Sequence, residues 1–84
     1  MTRSEIERQL IDLAAKQAGV AADEITPATH FVNDLEFDSL DTMEYAMEVE
    51  DELGVTIADD EVDKLQTVEH VIDHVVKQLT PAAT

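Results

Sequence analysis

Cysteine is absent from this 84-residue chain. Disulfides and thiolate metal sites are therefore excluded. Zero cysteine fits a reducing compartment. Glycine and proline occur only twice each. Each then counts as punctuation: Gly19 and Gly54 sit where apolar periodicity stops, Pro27 lies in a stretch without periodicity, and Pro81 follows the last apolar run. Positive charge is just as scarce. Five Lys and Arg face 20 Asp and Glu, giving a net charge of −15. No Lys or Arg occurs anywhere in residues 17–63. Such a chain is repelled by nucleic acid and by anionic membrane surfaces, and its partners are expected to carry basic patches. Long hydrophobic runs are missing too. The N-terminus lacks a signal-like apolar stretch, and no run approaches the ~20 residues needed to cross a bilayer. The expectation is a soluble cytoplasmic protein without membrane insertion, a single domain over residues 1–84.

What is present is helical patterning. Ser4-Glu5-Ile6-Glu7 reads as a capping box, and Ile6, Leu10, Leu13, Ala14 and Ala18 recur at helical spacing. The first helix is predicted over about 5–18, stopped by Gly19. Residues 20–38 carry no sustained period, but Val20, Ile25, Phe31, Val32, Leu35 and Phe37 can pin them to a core. A connection of that length often carries function. Asp38 is the predicted N-cap of a second long helix, ending at Gly54. Two apolar stripes run along it. Tyr45, Val49 and Leu53 are assigned to the core. Leu40, Met43 and Met47, interleaved with Asp41, Glu44, Glu48 and Asp51, are expected to be partly exposed, where methionine suits a surface that meets several partners. Burial of both stripes in a broad core stays open. Val55-Thr56-Ile57 reads as a tight connection, Asp59 to Lys64 as a short helix, and Thr67 as the cap of a last helix. The apolar face of that helix is Val68, Val71, Ile72, Val75, Val76 and Leu79. Pro81 ends it, and a frayed tail follows.

Few residues offer chemistry. Asp34, Glu36 and Asp38 begin like a calcium loop, but Ser39 and Tyr45 stand where that loop needs Gly and Glu. Asp59, Glu61 and Asp63 fail likewise. No metal site is expected. His70 and His74 have a zinc-compatible spacing, yet a solvated histidine pair is the commoner meaning. Ser39 lacks the G-x-S-x-G elbow of a hydrolase, and His30 is the only histidine near it in sequence. An enzyme is not expected. Ser39 stands out for its position instead. At the first helical position its hydroxyl lies beside unpaired N–H groups, at a helix end carrying roughly half a positive charge that favours phosphate. With Asp38 as the cap, Ser39 is left free.

The stretch Phe31-Val32-Asn33-Asp34-Leu35-Glu36-Phe37-Asp38-Ser39-Leu40-Asp41-Thr42 resembles the attachment region of acyl carrier proteins. The likeness continues through Met43-Glu44, Leu53-Gly54-Val55, Ile57 and Thr67-Val68, and covers nearly the whole chain. It implies an all-α fold: an antiparallel four-helix bundle with a short third helix and a long loop between helices one and two. It implies 4′-phosphopantetheine on Ser39, flanked by Asp38 and Leu40, attached by a phosphopantetheinyl transferase and carrying acyl groups as thioesters. It implies a partner surface of Asp41, Met43, Glu44, Met47, Glu50 and Asp51. This surface would meet synthases, reductases, dehydratases and acyltransferases of fatty-acid or related biosynthesis, with the carrier a monomer. Glu36 replaces the family's usual Gly, Tyr45 a usual aliphatic residue, and Glu48 a usual small one. These departures leave open a carrier dedicated to one specialised acyl or polyketide product. Phe37-Asp38 argues against peptidyl carriers. An alternative of a different class also stands: an unmodified acidic helical adaptor that binds a basic partner.

Overall fold

A computed structural model describes residues 2–79. It contains four α-helices: α1 over Arg3–Ala18, α2 over Ser39–Leu53, α3 over Asp59–Val62 and α4 over Val68–Leu79. The tail and the expected stop at Pro81 lie outside the described residues. Helix α1 packs against both α2 and α4, and the short α3 leans on α2. One hydrophobic cluster joins them all, with Leu10, Val49, Val68, Ile72 and Val75 fully buried.

Helix α1 starts earlier than the Ser4 box predicts. Thr2 is the N-cap: its Oγ1 accepts from the Glu5 N–H at 3.2 Å, and Glu5 Oε1 accepts from the Thr2 N–H at 2.9 Å. That bond holds the Glu5 carboxyl below its ordinary range. Thr2-x-x-Glu5 and Ser4-x-x-Glu7 both match the capping pattern. The earlier box wins because it adds backbone bonds, Ile6 N–H to Thr2 C=O at 3.1 Å among them. It also lets Arg3 reach Asp73 on α4 at 2.8 Å. Gly19 and Gly54 close α1 and α2 in the left-handed conformation, with φ of 73° and 65°, which removes any side-chain penalty from those turns.

The long connection is anchored rather than loose. It contains a short 3-10 helix at Ala22–Glu24, which the sequence pattern did not indicate. Three backbone bonds tie it to the start of α4: Phe31 N–H to Gln66 C=O, Val68 N–H to Thr29 C=O, and Glu69 N–H to Pro27 C=O, at 3.0, 3.1 and 2.8 Å. The His30 ring caps the turn that follows. Its Nδ1 accepts from the N–H groups of Val32 and Asn33 at 3.2 and 3.1 Å, and Asp34 Oδ2 accepts from the His30 N–H at 2.7 Å. Ile25, Phe31 and Phe37 are buried, whereas Val20 and Val32 face solvent.

Glu36 has φ of 59°, the one non-glycine left-handed residue among those described. This explains why glycine is expected there: an L side chain in that conformation costs roughly 1–2 kcal/mol. Glu36→Gly gives back part of that gain through greater freedom of the unfolded chain. A net stabilisation of about 0.5–1 kcal/mol is expected. Chemical denaturation checks this, and an unchanged midpoint refutes it.

Tyr45 on α2 is buried and donates its hydroxyl to the Leu10 carbonyl of α1 at 2.9 Å. Burial pushes its phenol well above the ordinary tyrosine range. Because the folded state favours the neutral phenol, this contribution is complete below the unfolded pKa of about 10. It is lost as pH rises above that value. Tyr45→Phe is expected to lower stability by about 1 kcal/mol at neutral pH and to flatten the fall above pH ~10. Stability–pH curves of the two proteins that stay parallel above that pH overturn this.

The histidines of α4 are not a simple solvated pair. His70 is exposed, and its Nδ1 accepts from the N–H groups of Gln66 and Thr67 at 3.1 and 3.3 Å. Thr67 Oγ1 accepts from the His70 N–H at 3.3 Å, as the predicted cap. His74 departs from the expectation of a solvated face. It is half-buried, lies 3.7 Å from Glu61 of α3, and contacts the Thr56 carbonyl at 3.1 Å. The reason is that the connection after α2 folds back over α4, which sequence spacing does not report.

Candidate functional site

The site grows from the end of the long connection. Asp38 caps α2: its Oδ1 accepts from the Asp41 N–H at 2.8 Å, and Asp41 Oδ2 accepts from the Asp38 N–H at 3.3 Å. Thr42 donates both its N–H and its hydroxyl to the Asp38 carbonyl, each at 3.0 Å. Four bonds thus fix the first turn without using Ser39. Ser39 is the first helical residue and is exposed. Its hydroxyl has no hydrogen-bond partner among the described residues. An oxygen this free, beside the helix N–H groups, can accept a phosphoryl group and leave its charge at the favourable helix end.

An open cleft of about 780 Å³ adjoins Ser39. The connection supplies His30, Phe31 and Phe37, and α2 supplies Ser39, Thr42 and Met43. Asp59 and Val62 of α3, with Asp63, Leu65 and Gln66 just after it, form the opposite wall. Ring contacts make the floor rigid. Phe31 lies 5.6 Å from Phe37 and 5.1 Å from Tyr45, centroid to centroid.

Down α2 from Ser39 runs a surface of mixed character. Leu40, Met43 and Met47 are 63%, 51% and 60% exposed, so the broad core that would bury both stripes is ruled out. Tyr45, Val49 and Leu53 are buried, as assigned. Glu44 and Asp51 are exposed beside the methionines. Asp41 is half-buried. Gln17 of α1 donates to Asp41 Oδ1 at 3.2 Å and to Glu44 Oε1 at 3.0 Å, which steadies both carboxylates. Glu50 is placed differently: its Oε2 accepts from the Ile57 N–H at 2.9 Å and holds the connection after α2.

Asp38, Ser39 and Leu40 thus share one helix start, and Asp41, Met43, Glu44, Met47 and Asp51 continue along the accessible side. The sequence reading missed Gln17 and the cleft wall formed by Asp59, Val62, Asp63, Leu65 and Gln66. No local signal marks them, because they reach the site only when α1 and α3 fold against α2. His30 had one signal, its closeness to Ser39 in sequence.

A helical scaffold with an idle serine hydroxyl at a capped helix start, an open cleft beside it and an acidic, methionine-bearing face has the geometry to hold a covalent group in reach of a partner. The family model described as a phosphopantetheine attachment site matches residues 8–75. An acyl carrier protein of Chlorobium phaeobacteroides is 41% identical over 78 residues, covering 93% of this chain and 100% of the relative. One of Rubrobacter xylanophilus is 42% identical over 80 residues, covering 95% and 99%. The solved structure of an acyl carrier protein from Enterococcus faecalis, studied for its high thermal stability, superposes with a TM-score of 0.78 at 32% identity, over 92% of this chain and 98% of that one. The chain belongs to the acyl carrier protein family, whose members carry acyl intermediates on a 4′-phosphopantetheine group.

Proposed function

We propose that Ser39 is the residue that bears 4′-phosphopantetheine in this acyl carrier protein. The observation that carries the assignment is the free, exposed Ser39 hydroxyl at a helix start whose capping is done wholly by Asp38. In the loading step Ser39 Oγ loses its proton and forms a bond to the phosphorus of coenzyme A, and 3′,5′-adenosine bisphosphate leaves. The attached group supplies a flexible arm and a terminal thiol that holds acyl groups as thioesters. The protein's own part is orientation and address. Asp38 and Leu40 flank the phosphate position, Asp38 by fixing the helix end and Leu40 as an exposed apolar contact for the transferase.

Residues 1–84 form a single carrier domain without catalytic activity of its own, working as a monomer in the cytoplasm. It carries acyl intermediates of fatty-acid or related biosynthesis. Its partners are a phosphopantetheinyl transferase and the synthases, reductases, dehydratases and acyltransferases of that pathway, each presenting a basic patch to the acidic face. Intact mass after incubation with coenzyme A and a broad-specificity transferase tests the assignment. A gain of one phosphopantetheine, mapped to the peptide holding Ser39, supports it. No gain with either that enzyme or the cognate transferase favours the unmodified adaptor.

The acidic face predicts a rate effect. Charge steering speeds encounter by roughly 10-fold to 1,000-fold and fades with salt. Lysine at both Glu44 and Asp51 is expected to slow transferase loading at least about 10-fold at low ionic strength. The gap should close as salt rises, and the melting temperature should hold. Loading kinetics equal to the parent's remove these residues from the contact.

A further inference from the structure

The space beside Ser39 is unequally divided. The surface cleft has about 780 Å³, whereas the void behind it has about 10 Å³, room for about one water-sized probe. Phe31, Thr42, Val62 and Leu65 line both and form the partition between them. Tyr45 fills the inner side. Its ring sits 5.1 Å from Phe31 and 6.2 Å from Phe37, and its hydroxyl is tied across the bundle to the Leu10 carbonyl at 2.9 Å. Swinging the ring aside would strand a buried hydroxyl without a partner and break an interlocked aromatic set. An aliphatic residue there would carry neither constraint.

We propose that Tyr45 closes the bundle to cargo. The acyl group then rests in the surface cleft, and the groups that suit this carrier are neutral and either short or oxygenated. This rests on Ser39 being the attachment residue. The cleft offers apolar cover from Met43, Val62 and Leu65, enough for a short chain. It also offers hydrogen-bonding groups. With Nδ1 of His30 accepting from two backbone N–H groups, the neutral ring carries its proton on Nε2 as a donor. The Gln66 side chain is exposed on the same wall. Both suit carbonyl or hydroxyl oxygens. Asp38, Asp59 and Asp63 border the cleft and disfavour a cargo ending in a carboxylate.

The test compares acetyl, butanoyl and octanoyl forms, loaded from the corresponding acyl-coenzyme A. Failure of both the broad-specificity and the cognate transferase to load any form is visible by mass at this stage and overturns the Ser39 assignment together with this inference. A chain drawn into a core gains roughly four-fold in its burial equilibrium per methylene. A sequestered octanoyl thioester would therefore resist hydroxylamine more than about a hundred-fold better than the acetyl form. The parent is expected to show equal cleavage rates and equal melting temperatures for butanoyl and octanoyl, because the cleft covers a short chain and the added methylenes stay outside the bundle. Slower cleavage or a rising melting temperature from butanoyl to octanoyl overturns the proposal. Tyr45→Leu is expected to acquire the length dependence, and a folded variant behaving like the parent refutes the role of Tyr45. Should that variant fail to fold, Tyr45→Phe keeps the volume and frees the ring. Slowed octanoyl cleavage is expected there, and none refutes the anchoring. Loading with 3-hydroxybutanoyl is expected to move the NMR signals of the His30 imidazole and the Gln66 carboxamide relative to the unacylated arm. Unmoved signals overturn the cleft assignment.

Discussion

Ser39→Ala, given coenzyme A and a phosphopantetheinyl transferase, is expected to show no mass gain under conditions that load the parent completely. The prediction is absolute because alanine has no oxygen to bond to phosphorus, and neighbouring hydroxyls cannot substitute. The Thr42 hydroxyl donates to the Asp38 carbonyl at 3.0 Å and lies within the helix, one turn on. The variant should remain folded. Ser39 is exposed and contributes no side-chain bond, while Asp38 holds the helix start. Alanine also has the best intrinsic helix propensity. A change in stability within about 0.5 kcal/mol is expected, as for surface positions generally. Loss of loading with an unchanged melting curve separates chemistry from folding. A mass gain on Ser39→Ala would move the attachment elsewhere and undo the functional assignment.

Phe31→Ala is expected to cost about 3–5 kcal/mol. Phe31 is 2% exposed and touches both other aromatic rings of the chain. Its backbone N–H ties the long connection to Gln66, and its carbonyl accepts from the Phe37 N–H at 2.9 Å. Removing the ring leaves a cavity between α2 and the connection and frees the segment leading to Ser39. At about 0.05–0.15 kcal/mol per residue, an 84-residue chain has roughly 4–13 kcal/mol in all. The substitution thus takes a large share, and the melting temperature should fall by about 12–40 °C. Phe31→Leu should recover most of it. A loss under about 1 kcal/mol for Phe31→Ala would mean that the cavity collapses and that the connection is held by its backbone bonds.

The comparison of Glu36 with Tyr45 marks how far the sequence could be read. Glu36 stood out only as a departure from the family's glycine. Its φ of 59° supplies the reason, a backbone conformation that no side-chain pattern displays. Tyr45 was assigned to the core from its spacing with Val49 and Leu53, which the structure bears out. That its hydroxyl would find the Leu10 carbonyl, thirty-five residues away, depended on how α1 and α2 pack. The start of α1 was misplaced by two residues, since two overlapping capping boxes obey the same local rule and a contact from Arg3 to α4 favours the earlier one.

The sequence by itself determined where helices form, though not the start of α1 at Arg3 or the end of α3 at Val62 instead of Lys64, together with the stops at Gly19 and Gly54, the split of α2 into a buried and an exposed stripe, and the free serine behind an aspartate cap. Each follows from local rules: period, cap chemistry and left-handed glycine turns act within one or two helical turns. Tertiary structure alone decided the rest. It folded α3 beside α2 to make the cleft, turned Glu50 and His74 inward, set Gln17 against Asp41 and Glu44, and sealed the interior with three aromatic rings. Most of those features join residues far apart in the chain, and the nearer pairs, Glu50 with Ile57 and Phe31 with Phe37, meet across irregular turns. They come from the packing of whole helices, which local pattern constrains only in part.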